Sequence, residues 1–116
     1  MHQLSNGTDA DARYDTASRM DVVRRACNND QHAFASLYEY YQGRLERYLF
    51  TQVRDREVSY DLYQDTFLRV WKVFSQQAPI SEAIVEHFEA WLYRIATNAA
   101  IDYLRRSRKV EMLPLQ

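Results

Sequence analysis

In the stretch FEAWLYRIATNAAIDYLRRSRK, residues 88–109, Arg94, Asn98, Ile101, Arg105 and Arg108 follow one another at steps of four, three, four and three. That spacing puts them on one face of a helix. From Arg94 to Lys109 five basic side chains stand against one acid, Asp102. Guanidinium and carboxamide groups aligned in this way suit a phosphate backbone, because each cation that neutralises a phosphate adds to affinity. They also suit a plainer role, since basic residues near a helix C-terminus complement the macrodipole. Tyr93 lies off the apolar stripe of this helix and is the ring best placed to stack on an unpaired base. Phe74, His87, Phe88 and Trp91 bracket the same region, with Phe88 and Trp91 at core-compatible positions.

A second constellation, of opposite sign, lies in REVSYDLYQDTFLRVWKVF. Asp61, Gln64, Asp65 and Leu68 are spaced i, i+3, i+4, i+7 and form an acidic stripe with an apolar edge. The stripe fits an ordinary solvated face. It also fits a surface that accepts a basic helix, and a leucine exposed among acids favours that second use. Asp61 and Asp65 sit one turn apart and could bridge a divalent ion, yet no His or further acid stands nearby to complete a shell. His2, His32 and His87 are isolated from one another and from Cys27, and no Gly-rich phosphate loop, nucleophile motif or HExxH is present. The expectation is a protein without metal, cofactor or enzymatic activity.

The elements that must hold these faces are helical. Hydrophobic residues make up 47% of the 116 residues, with only 2 Gly and 2 Pro to interrupt helices. The aromatics recur at helical rather than strand spacing, so a compact all-α bundle of three to four helices follows. Residues 1–15 are polar and read as a mobile tail. A first helix runs from 16 or 17 to 27, with Met20, Val23 and Cys27 inward, and Asn28 and Asn29 break it. Asp30 caps a second helix over Gln31–Val53, whose stripe is Phe34, Leu37, Tyr41, Leu45, Tyr48, Leu49 and Val53. Asp55 caps a third over Arg56–Phe74, burying Leu62, Tyr63, Thr66, Phe67, Val70 and Phe74. Residues 75–86 form a loop with room for a helical turn at 81–85. The fourth helix, 88–109, buries Phe88, Trp91, Leu92, Ile95 and Ala99, and 111–116 form a tail that Pro114 ends. The helical domain thus covers 16–110.

A net charge of −1 argues against indiscriminate coating of nucleic acid; the charge is instead segregated, with scattered acids early and a basic final helix. Thirteen of the 15 basic residues are arginine, whose planar fork suits phosphate and base edges. A lone cysteine permits no intrachain disulfide. No apolar run approaches the roughly 20 residues that span a bilayer, and the N-terminus lacks a signal-peptide core. A cytoplasmic protein without membrane association is expected.

DLYQDTFLRVWKVF followed by FEAWLYRIATNAAIDYLRRSRK, preceded by AFASLYEYYQGRLERYL, resembles region 2 of bacterial sigma factors of the extracytoplasmic-function type. The likeness covers about 34–109. It implies a sigma factor domain that binds core RNA polymerase and recognises and melts the promoter −10 element. By motif position, Asp61, Gln64 and Asp65, with Leu68 beside them, would dock on the beta-prime clamp helices. Arg94, Asn98, Arg105 and Arg108, with Tyr93 and Lys109, would meet promoter DNA, and the 75–87 loop would contribute a pocket for a flipped base. An anti-sigma factor is a further partner that the resemblance implies. The loop SQQAPISEAIVEH is longer than the family leads one to expect and has no Lys or Arg, while Glu82 and Glu86 bring negative charge toward incoming DNA. Complete members also carry a C-terminal helix-turn-helix domain, for which no residues remain after this one. The competing reading is a sigma-like interaction module that binds polymerase or an anti-sigma factor without opening DNA.

Overall fold

A computed structural model describes residues 18–76 and 79–112, with side chains through residue 108. Among the described residues the chain is all helical, as four substantial helices and one short one: α1 Arg19–Cys27, α2 Gln31–Val53, α3 Arg56–Phe74, α4 Glu82–Glu86 and α5 Phe88–Met112. The expected tail over 1–15 and the start of the first helix at 16 or 17 lie outside the described residues, as do 113–116.

α2 and α3 begin where a side-chain cap closes their first turn. Asp30 accepts from the Ala33 N–H at 3.1 Å and Asp55 from the Val58 N–H at 3.0 Å, each satisfying a donor that the helix itself leaves unpaired. Between helices the chain reverses through left-handed residues, Asn29 (φ 71°) and Arg54 (φ 60°). Asparagine tolerates that region better than most residues, and arginine occupies it at some cost in strain. The helical turn allowed for at 81–85 is α4, with the Ser81 hydroxyl capping the Ala83 N–H at 3.1 Å.

α2 is the hub. It packs against α1, α3 and α5, while α3 also packs on α5, and α4 bridges α1 and α5. Leu37, Tyr41, Leu45 and Leu49 of α2 are buried against Leu62, Tyr63, Phe67, Val70 and Phe74 of α3. Val23 and Ala26 of α1 and Val85 of α4 close the same core. Among the described residues Thr66 and Ser59 are the buried polar ones; their hydroxyls donate to the Leu62 and Asp55 carbonyls one turn back, so neither is left unsatisfied.

Two expectations for α5 need correction. Its buried line is Phe88, Leu92, Ala96, Ala99 and Ala100, whereas Trp91 and Ile95 are only half-buried at the margin. Alanines allow α5 to approach α2 and α3 closely, which rotates the buried arc away from the bulkier side chains. The helix also continues to Met112 rather than ending near 109. Pro114 disfavours helical backbone only from the preceding residue, Leu113, onward.

Burial of two phenols makes the fold alkali-sensitive. Desolvation pushes Tyr41 up to about 12, partly offset by the hydrogen bond from Arg19. Tyr63, which donates to the Tyr38 carbonyl, is pushed well above the ordinary tyrosine range, chiefly by burial. A phenol with a higher pKa in the folded protein than in the unfolded chain favours folding while both states keep the proton. For Tyr41 that contribution is complete below the ordinary value of about 10. It is lost as the pH rises toward about 12. Ultraviolet titration followed together with circular dichroism should show Tyr41 and Tyr63 ionising only as helicity collapses; smooth titration with helicity retained would refute this.

Candidate functional site

α3 divides cleanly into two faces. Opposite its buried arc, Glu57, Asp61, Gln64, Asp65 and Leu68 are all exposed. Among the described residues neither Asp61 nor Asp65 has a basic partner, so both carboxylates face solvent uncompensated. The Gln64 amide donates to the Tyr60 hydroxyl at 2.8 Å, which orients one end of the stripe. At the other end Leu68 is 51% exposed and Trp71 41% exposed, a contiguous apolar edge. Phe34 supports it from α2, its ring edge-on to Trp71 at 5.5 Å. Phe34, Tyr38, Gln64, Phe67, Leu68 and Trp71 line a shallow depression of about 260 Å³ here. An acidic stripe with an apolar rim can take a helix that offers basic and apolar side chains in alternation.

α5 presents the opposite charge. Arg94, Asn98, Arg105 and Arg108 are exposed, with Ile101 and Leu104 between them at 44% and 37% exposure. Arg105 lies 3.7 Å from Asp102, a loose contact on an exposed surface that leaves the guanidinium available. Lys109 belongs to the same helix, but its side chain lies outside the described residues. Tyr93 does not stand free: it is half-buried, its ring edge-on to Tyr48 at 5.1 Å, and burial pushes its hydroxyl upward in pKa. The Tyr48 hydroxyl is in turn 2.7 Å from the Thr97 hydroxyl, which ties this part of α5 to α2.

Where α5 begins, α1 supplies counter-charges that no local sequence pattern announces. Arg24 holds Glu82 through two parallel contacts of 3.2 and 2.6 Å. Arg19 reaches Glu89 at 2.6 Å and donates to the Tyr41 hydroxyl at 3.0 Å, and Arg44 approaches Glu89 at 3.7 Å. The negative charge expected of Glu82 is therefore neutralised, and Glu86 remains exposed. Beside this clamp, Cys27 and Asn28 of the α1 end face Phe74, Pro79 and Ile80 across a concavity of about 670 Å³. Ser75, Gln76, Glu82 and Val85 also line it. Burial raises the pKa of the Cys27 thiol, which keeps it protonated and unreactive.

Among the described residues no group of three His, Cys, Asp or Glu could hold a metal, and no helix is long and apolar enough to cross a membrane. The Sigma-70 region 2 family matches residues 37–110, more than half of the chain. The chain belongs to the Sigma-70 region 2 family. Curated relatives agree with this. The ECF RNA polymerase sigma factor BldN of Streptomyces coelicolor is 33% identical over 97 residues, covering 81% of this chain and 34% of the relative. The RNA polymerase sigma factor CarQ of Myxococcus xanthus is 36% identical over 89 residues, covering 77% and 48%. The ECF sigma factor SigW of Bacillus subtilis is 28% identical over 86 residues, covering 74% and 43%. The chain thus spans between a third and a half of the length of these relatives, and no solved structure matches it. Sigma-70 region 2 in general binds core polymerase and the −10 element, and sigma factors are initiation factors rather than enzymes.

In this region 2 domain the acidic and basic faces lie on separate helices that share one core. Sequence reasoning missed Trp71 on the first face, although its position three residues after Leu68 placed it on that edge. It also missed Arg19 and Arg24, whose partners lie 70 and 58 residues away.

Proposed function

We propose that this chain is the region 2 domain of an extracytoplasmic-function sigma factor, acting in the cytoplasm at promoter recognition. α3 docks on the beta-prime clamp helices of core RNA polymerase through Asp61, Gln64, Asp65 and Leu68, with Trp71 extending the apolar edge. α5 meets the −10 element through Arg94, Asn98, Arg105, Arg108 and Lys109. The hollow beside the 75–87 segment receives an unstacked base, whose extrusion costs a few kcal/mol that contacts in the hollow must offset. The observation that supports this reading best is the acidic stripe on α3, without basic partners among the described residues, set against the exposed arginines of α5 within one family-matched domain.

One observation favours the other reading, a module that binds polymerase or an anti-sigma factor without opening DNA. Tyr93 packs on Tyr48, so α5 offers no free aromatic platform at that position.

The discriminating experiment replaces Arg94, Arg105 and Arg108 with alanine. Wild type and variant, each with core polymerase, are titrated onto nontemplate-strand DNA randomised over the −10 positions, at several salt concentrations. Three lost phosphate contacts at about 0.7 each should lower the log–log salt slope by about 2. An unchanged slope and affinity would assign α5 to a protein partner and favour the second reading.

A further inference from the structure

The hollow between α1 and the 75–87 segment has two walls of unequal firmness. One is the end of α1, where Asn28 caps the helix and Asn29 turns the chain. Its backbone is tied down. The N–H groups of Asn28 and Asp30 both donate to the Arg25 carbonyl at 3.0 Å, and that of Asn29 donates to the Ala26 carbonyl at 3.2 Å. The facing wall is α4, with Ile80 before it. α4 has only five residues, and isolated helices shorter than roughly 12–15 residues are marginal in water. It packs on α1 and α5, and the side chain it buries is Val85. Its Ser81 cap lies within the same segment and fastens it to nothing else.

Among the described residues one polar link joins the two walls: the Arg24 fork donates to both carboxylate oxygens of Glu82, at 3.2 and 2.6 Å. Two parallel bonds of this kind fix direction as well as distance. Asp21, the other acid on α1, is held by Arg25 at 3.1 Å, and Glu86 forms no ion pair. Exposed pairs add little to the stability of a whole domain. The same energy weighs far more on a short segment whose local opening is nearly free.

We propose that Arg24 is a positioning residue for the hollow: through Glu82 it clasps α4 to the fixed end of α1 and so holds the spacing that an unstacked base enters. The role in base capture rests on the proposed reading of the hollow. It carries a sign that charge alone does not. As bare charges near DNA, Arg24 attracts phosphate and Glu82 repels it, so neutralising the two would shift affinity in opposite directions. As two halves of a clasp, they shift it in the same direction, because affinity falls with the fraction of molecules whose α4 is in place.

The test uses the whole chain as wild type, Arg24→Gln, Glu82→Gln, the double variant and the charge reversal Arg24→Glu/Glu82→Arg. Amide hydrogen exchange over 81–87, with α3 as internal reference and thermal melts alongside, reads the clasp without DNA. Each single variant should exchange about fivefold faster over 81–87 with α3 unchanged. The double variant should add nothing further, and the charge reversal should restore protection. Unchanged exchange over 81–87 in both single variants, or an equal rise in α3, overturns the clasp. Binding is then read by anisotropy, with core polymerase, on the nontemplate-strand sequence that wild type selects from DNA randomised over the −10 positions. That strand is used intact and with each nucleotide in turn made abasic. Both single variants should bind the intact strand about twofold or more weakly, and at one position base removal should erase the difference. Opposite shifts for Arg24→Gln and Glu82→Gln overturn positioning and leave a plain charge effect. A wild type indifferent to base removal at every position refutes the base-accepting hollow and leaves Arg24 no base to position. That failure is distinct from failure of the clasp, which the exchange data alone decide.

Discussion

Replacing both Asp61 and Asp65 with alanine should weaken docking on a purified beta-prime clamp-helix fragment by about 2–4 kcal/mol, the range for truncating charges that are paired across an interface. Both carboxylates are exposed and bonded to nothing within the described domain, so thermal stability should change by less than about 0.5 kcal/mol. That separation makes the experiment decisive, because binding is lost from a domain that still folds. Calorimetric titration of the fragment, beside a thermal melt of each protein, measures both quantities. A double variant that bound as tightly as wild type would remove α3 from the polymerase interface. The α5 arginines would then have to carry the proposed function without a polymerase-docking face on α3.

The second large effect concerns the core. Leu92→Ala should cost about 2–5 kcal/mol, the range for truncating a fully buried leucine, since no solvent reaches that side chain and α5 meets α2 and α3 there. Trp91→Ala should cost distinctly less. Its ring stacks nearly parallel on Phe74 at 6.1 Å but is half-buried, so part of its surface is already in water. Urea unfolding of the two variants ranks them, and equal losses would show that Trp91 is as much a core residue as Leu92. A folded Trp91→Ala protein that had lost single-strand binding would place the ring among the DNA contacts instead.

The bounds of α2 and α3 were readable to the residue because their signals are local. Asp30 and Asp55 are carboxylates that close a helix turn three residues on, and apolar spacing then carries each helix to its end. The exposed stripe of α3 was readable for the same reason, since a helix that buries Leu62, Thr66 and Val70 must expose Asp61, Asp65 and Leu68. The buried arc of α5 was displaced because side-chain size misleads at close helix contacts. Trp91 and Ile95 weigh heavily in any hydrophobic pattern, yet Ala96 and Ala100 are what tight packing admits. Tyr93 was expected to stand free because its partner, Tyr48, lies on another helix. The arginine–glutamate pairs escaped altogether: Arg24 and Glu82 are brought together by the whole fold, and no periodicity links positions so far apart.

Arg19 and Arg24, reaching from α1 to Glu89 and Glu82, also separate the unit that homology outlines from the unit that folds. The family match opens at residue 37, eighteen residues after α1 begins. A chain trimmed to that boundary would lose Val23 and Ala26 from the core and would uncover the Tyr41 hydroxyl. It would also leave Glu82, which borders the hollow proposed to accept a base, without its partner, and Glu89 with only the distant Arg44. Anyone dissecting the domain by sequence similarity would therefore discard the segment that balances the charge of Glu82 and Glu89 at the end proposed to face DNA.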